Sequence, residues 1–220
     1  MTVALFIATI VLLFGVVLVT GRNPSTNAGH PLLALSEAAG YAAGGCFAWW
    51  RLRTTGVQAF RPLRRRDLRA ILIGLAALLL TRVALGIQLV LTHQTKHMQS
   101  GLEHFDVVTS IPAMTAVGIS IGVASMVLLA PIVEEIIFRG LLFGALAPRL
   151  GIIGSALITA ILFGAVHGDL VLFPTLAALG LINALVYAYT GNLWVPITLH
   201  AFNNLIGAIA LVATSLNHRA

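Results

Sequence analysis

Apolar stretches recur along the whole chain at close to the length of a membrane crossing, and most polar residues gather in the short gaps between them. A helix needs about 20 apolar residues to cross roughly 30 Å of hydrocarbon. Seven stretches approach that length: 3–20, 32–50, 70–91, 113–143, 152–167, 170–189 and 193–215. Backbone groups exposed to lipid must satisfy one another within a segment. The expected fold class is therefore all-α, a polytopic transmembrane helical bundle of about seven spans. The fourth stretch is long enough to tilt or run past the membrane surface, and Gly168-Asp169 leaves only a tight turn between the fifth and sixth. No soluble domain or low-complexity tract separates the stretches. The chain reads as one integral membrane domain, with N-terminal helices and a basic loop over 1–112 and a chemistry-bearing helical core over 113–220.

Composition strengthens this picture. Hydrophobic residues make up 59% of the chain and charged residues 9%, with a mean hydropathy of +0.98. Soluble domains carry about 25% charged residues, so this chain lacks the charge to cover a water-facing surface. The net charge of +6 does not point to nucleic acid, because seven of the thirteen basic residues lie between Arg51 and Arg69. Flanked by apolar runs, they read as a cytoplasmic loop beside anionic lipid. Counting spans from that loop places the N-terminus in the cytoplasm and the C-terminus outside the cell membrane, with Arg139 and Arg149 at the cytoplasmic end of the fourth span. The first stretch lacks the basic start of a signal peptide and is read as a retained span. Cys46, the only cysteine, rules out an intrachain disulfide and is expected to be a buried, inert thiol.

Ionisable side chains inside spans are costly and mark function by default. The fourth stretch contains Glu134-Glu135 and Arg139. Residues four apart share a helix face, so Glu135 is expected to pair with Arg139 and leave Glu134 for chemistry. The fifth ends in Phe163-Gly164-Ala165-Val166-His167, with ring and imidazole on one face. In the last, Pro196 suits a first helical turn and places His200 and Asn204 together, with Asn203 turned aside for interhelical packing. One glutamate with a histidine can deprotonate a water, while a histidine and an amide can donate to a developing oxyanion. The residues Glu134, His167 and His200 could instead hold zinc, although the chain has no His-Glu-x-x-His motif. Both schemes stay open on these residues. Elsewhere, Arg82 in the third span is expected to pair with Glu37, with a substrate carboxylate as the alternative partner. Gly180, Gly191 and Gly207 are read as sites of close helix approach or turning.

The ordered motifs Glu134-Glu135-x-x-x-Arg139, Phe163-x-x-x-His167 and His200-x-x-x-Asn204 resemble the signature of the CAAX prenyl protease and bacteriocin-processing (abortive infection) family of intramembrane proteases. The resemblance covers about 113–215, and the first three spans show no signature. It implies a hydrolase, a CAAX-type endopeptidase of glutamate-dependent or metalloprotease type. Eukaryotic members remove the last three residues from a prenylated C-terminal CAAX sequence. By analogy Glu134 and His167 activate water, His200 and Asn204 stabilise the oxyanion, and Glu135 and Arg139 hold the site in shape. The metal-free scheme is preferred, with zinc kept open as the cofactor. The implied partners are membrane lipids and a peptide or protein substrate, prenylated or not, with no role for nucleic acid. The alternative is a non-proteolytic membrane binding or immunity protein that uses the same polar pocket. A proton-relaying transporter is disfavoured, since no inverted repeat is visible.

Overall fold

The computed structural model describes residues 31–93 and 120–217, and every regular element among them is helical. Helix α1 is Pro31–Thr54 and α2 is Arg65–Leu91. Helix α3 is the 47-residue Ser120–Val166, α4 is Phe173–Thr190 and α5 is Trp194–Asn217. Three of these, α2, α3 and α4, are long and apolar enough to cross a membrane. Of the seven expected spans, 3–20 and the start of the fourth, 113–119, lie outside the described residues, 32–50 falls within α1, and 193–215 lies in α5 from Trp194 onward. The fourth and fifth are joined in α3. There the backbone breaks at Gly151, where φ of 69° is open to glycine and strained for other residues. Pro148, three residues earlier, weakens the same turn by removing a ladder donor. Gly151 thus divides α3 into two arms.

The second arm of α3 packs most extensively on α4, and α4 in turn packs on α2 and α5. The crossing is close because the residues at it are small. A Cβ added to Gly180 would lie 3.0 Å from the Ala160 Cα and 3.2 Å from the Ala160 carbonyl oxygen, so backbone would have to yield. Overpacking of this kind costs about 1–3 kcal/mol. Gly180→Val is expected to lower the thermal midpoint of the purified protein by several degrees. Gly86→Ala, whose Cβ meets nothing within 4 Å, should leave it unchanged or raise it.

The arginine-rich loop is less free than its charge suggests. Asp67, fully buried, accepts two hydrogen bonds from Arg61 at 2.7 and 3.0 Å and one from the Arg64 backbone at 2.7 Å. Arg61 and Arg66 both donate to the Thr190 carbonyl, at 2.7 and 2.9 Å, where the C-terminus of α4 leaves acceptors unmet. Asn192 donates to the Arg61 carbonyl at 3.1 Å, and the Leu193 N–H to the Ala59 carbonyl at 2.8 Å. These bonds set the loop and the α4–α5 turn at one end of the bundle. Trp49, Phe60 and Trp194 gather there edge to face.

Two expectations change. Cys46 is exposed, because α1 buries Gly44, Ala48 and Leu52 and so turns Cys46 outward. Arg139 does not mark a membrane face, because it is fully buried inside the bundle, whereas Arg149 is exposed.

Candidate active site

The centre of the site is the point where the first arm of α3 changes its winding. Ala130–Glu135 is α-helical, and Ile136–Phe143 is wound as a π-helix. Such turns are rare and recur at functional sites. Across the change, Arg139 Nη1 donates to Glu135 Oε1 at 3.0 Å, as the spacing of four predicted. Both side chains are wholly buried. Arg139 Nη2 also donates to the Gly180 carbonyl at 2.7 Å, and its guanidinium carbon lies 4.9 Å from the Phe163 ring centroid. Two further groups donate to the same Glu135 oxygen, Asn183 Nδ2 at 2.9 Å and His200 Nδ1 at 2.9 Å. Taking a carboxylate out of water costs several kcal/mol, which this crowded set of charged and neutral donors offsets.

Glu134 is held differently. Its Oε1 accepts a hydrogen bond from the Tyr41 hydroxyl at 3.3 Å. Its Oε2 is buried and takes no hydrogen bond from the described residues. That oxygen lies 3.9 Å from His200 Nε2, too far for a direct bond and near enough for one water to reach both. An ionised carboxylate only accepts, so His200 Nδ1 carries a proton toward Glu135, and in the neutral ring Nε2 is the basic nitrogen facing Glu134.

His167 ends α3. Its Nδ1 lies 2.7 Å from the Phe163 carbonyl, which can only accept, so Nε2 is again the basic nitrogen of the neutral ring. Phe163 packs against both imidazoles, with ring centroids 4.9 Å from His167 and 5.4 Å from His200. His167 is exposed, whereas His200 is buried. Asn204, one turn beyond His200 on α5, donates to the Met126 carbonyl at 2.9 Å. The fold therefore brings Glu134, Glu135, Arg139 and His200 into one cluster, sets His167 against the Phe163 ring, and ties Asn204 to the start of α3. Glu134, His167 and His200 do not fit the zinc site that the sequence left open. No three His, Cys, Asp or Glu among the described residues group so as to hold a metal ion.

Residues 116–206 match the family model described as Type II CAAX prenyl endopeptidase Rce1-like. That segment is similar to the Rce1-like family. It contains all six of the candidate residues. A Bacillus subtilis (strain 168) protein named "Putative membrane peptidase YdiL" is 38% identical over 99 residues, 45% of this chain and 37% of that protein. The "Membrane-embedded CAAX protease MroQ" of Staphylococcus aureus (strain USA300) is 29% identical over 83 residues, 35% of this chain and 34% of that protein. The chain thus spans little more than a third of the length of these curated relatives. No solved structure matches it significantly. The similarity of this segment to a membrane-protein family and the apolar helices support an integral membrane protein.

Three contributors to the site escaped the sequence reading. Asn183 is the plainest: a lone amide in the apolar run of α4 is itself a signal, since a polar group there needs a partner. Tyr41 gave no such signal, because a tyrosine in a span is unremarkable until α1 is known to pack on α3. The Gly180 carbonyl is a backbone group and leaves no trace in side-chain chemistry.

Proposed function

We propose that this chain is a membrane-embedded endopeptidase that hydrolyses a peptide bond near the membrane surface with water activated by Glu134. The observation that carries this reading is the unequal treatment of two adjacent glutamates. Glu135 Oε1 accepts from Arg139, Asn183 and His200, whereas Glu134 accepts only from Tyr41 and turns its Oε2 toward His200 Nε2 at 3.9 Å; the Oε2 atoms of both are buried and take no hydrogen bond from the described residues. A water between them loses a proton to Glu134, and the hydroxide adds to the peptide carbonyl carbon. The resulting oxyanion accepts from Asn204, which has a second N–H beyond the one given to Met126, and from His200 when its Nε2 is protonated. Collapse of the intermediate expels the amine, which takes the proton from Glu134. His167 assists at the water with its free Nε2. Glu135 and Arg139 act by fixing His200. The family resemblance supports a peptide or protein substrate, and prenylated C-terminal peptides are the first class to try.

The test is cleavage by the purified protein in detergent, read by mass spectrometry on prenylated and unprenylated C-terminal peptides, with Glu134→Ala beside the parent. Cleavage present in the parent and lost in the variant is expected. Persistence in the variant overturns the assignment of Glu134, and no cleavage by the parent favours the binding or immunity role.

A further inference from the structure

Arg82, for which an ion pair with Glu37 is expected, makes its described hydrogen bonds to α5. The side chain of Glu37 lies outside the described residues, and the described partner of Arg82 is Asn203 on α5. Arg82 Nε donates to Asn203 Oδ1 at 3.1 Å, and its Nη2 donates to the Asn203 carbonyl at 2.7 Å. Asn203 Nδ2 donates in turn to Asn204 Oδ1 at 3.2 Å, and Asn204 Nδ2 donates to the Met126 carbonyl at 2.9 Å. Four residues on three helices thus form one directed chain of hydrogen bonds.

The availability of the Met126 carbonyl follows from local sequence. Ser125–Leu129 is wound as a π-helix, and the Ala130 N–H, the ordinary α-helical partner of Met126, donates to Ser125 instead. The next candidate is residue 131, a proline with no N–H. The Met126 carbonyl is left outside the helix ladder, and Asn204 satisfies it.

The chain also has a sense that cannot be reversed. A guanidinium only donates and a carbonyl only accepts. With Arg82 at one end, Asn203 must present its oxygen to the arginine and its NH2 to Asn204. With the Met126 carbonyl at the other, Asn204 must present its oxygen to Asn203 and one N–H to Met126. An amide flip at either residue would set donor against donor or acceptor against acceptor in a largely apolar bundle. The direction of the remaining Asn204 N–H is therefore determined by residues remote from the site.

We propose that Arg82 and Asn203 are positioning residues that hold the Asn204 amide in the one orientation able to donate to the oxyanion. This rests on the peptidase reading above. The deciding substitution is Asn203→Asp. It keeps an acceptor for Arg82 and gains an opposite charge, but an ionised carboxylate has no N–H to offer Asn204. Losing an oxyanion donor outright costs about 10²–10³ in kcat. Asn203→Asp is expected to lower kcat at least about tenfold toward that limit, with KM within about twofold and the thermal midpoint retained. In an Asn204→Ala background the same substitution should change kcat by less than about twofold, because the amide it orients is gone.

Either of two results overturns the proposal while leaving the peptidase reading intact: full kcat in Asn203→Asp, or an equal loss in both backgrounds. An effect confined to KM would make Arg82 and Asn203 substrate contacts and overturns it too. If Asn203→Asp does not fold, Arg82→Lys, which keeps a cationic donor group, should retain more kcat than Arg82→Met. Equal kcat in those two variants counts against positioning. A parent that cleaves no peptide removes the peptidase reading and this proposal with it.

Discussion

Glu134→Gln is expected to reduce peptide hydrolysis by about 10²–10⁴, the usual range for losing a general base, while the protein folds as well as the parent. Glutamine has nearly the same shape and retains an oxygen for the Tyr41 hydroxyl, which lies 3.3 Å from Glu134 Oε1. Its amide cannot take a proton from water. The side chain of Glu134 is 17% exposed and has no cationic partner closer than His200 at 3.9 Å among the described residues, so little stabilising charge pairing is lost. Measuring kcat/KM and the thermal midpoint on the same preparations separates the two effects. A large drop in midpoint would make Glu134 a structural residue. Full activity with an unchanged midpoint would remove it from the chemistry.

The second large effect concerns stability. Arg139→Met should cost about 3–5 kcal/mol, because it leaves Glu135 charged, buried and without its strongest partner. Arg139 and Glu135 are both fully buried and 3.0 Å apart, so solvent does not screen the loss. Methionine fills much of the space beside Phe163 and Phe138, whose rings lie 4.9 and 5.7 Å from the guanidinium carbon. The lost electrostatics should therefore dominate the lost packing. Removing both charges, as Glu135→Leu with Arg139→Met, should recover most of the stability, since an apolar pair of similar volume does not need solvation. It should not recover activity, because His200 Nδ1 would lose the acceptor 2.9 Å away that orients its ring. Thermal or denaturant unfolding of the two variants checks the first statement, and the peptide assay checks the second. Equal destabilisation in both variants would mean that Arg139 acts through packing rather than charge.

These expectations differ in how far the sequence alone could carry them. The pairing of Glu135 with Arg139 was legible because both residues lie on one helix, where a spacing of four places side chains together in an α-helix and still does so through the π-wound turn. The stacking of Phe163 on His167 was legible for the same reason. The close approach expected at Gly180 appears as the crossing with Ala160. Contacts between helices were another matter. Helical spacing puts His200 and Asn204 on one face of α5, but it does not show that His200 bonds Glu135 on α3. Arg82 was matched with Glu37 by elimination of unpaired charges, and its described bonds go to a neutral amide instead. Such bonds leave no mark in a count of charges, because amide and carbonyl oxygens accept from an arginine without any charge in the sequence. The break at Gly151 falls between the fourth and fifth expected stretches, and among the described residues three helices are long and apolar enough to cross a membrane.

By itself, then, the sequence determined what is local or collective: a membrane-embedded all-helical chain, from its scarcity of charge, and an ordered set of Glu, His and Asn residues with a helix face for each. Only the tertiary structure decided which glutamate takes three donors and which faces His200 Nε2, that Asn183 and Tyr41 reach the site, and that Arg82 bears on Asn204. The physical reason is that helical periodicity specifies the direction of a side chain about its own axis, whereas its partners depend on how neighbouring helices are rotated and shifted. Those offsets are set by small residues such as Gly180, by breaks such as Gly151 and by carbonyls released by Pro131, whose effects are expressed only when the helices pack.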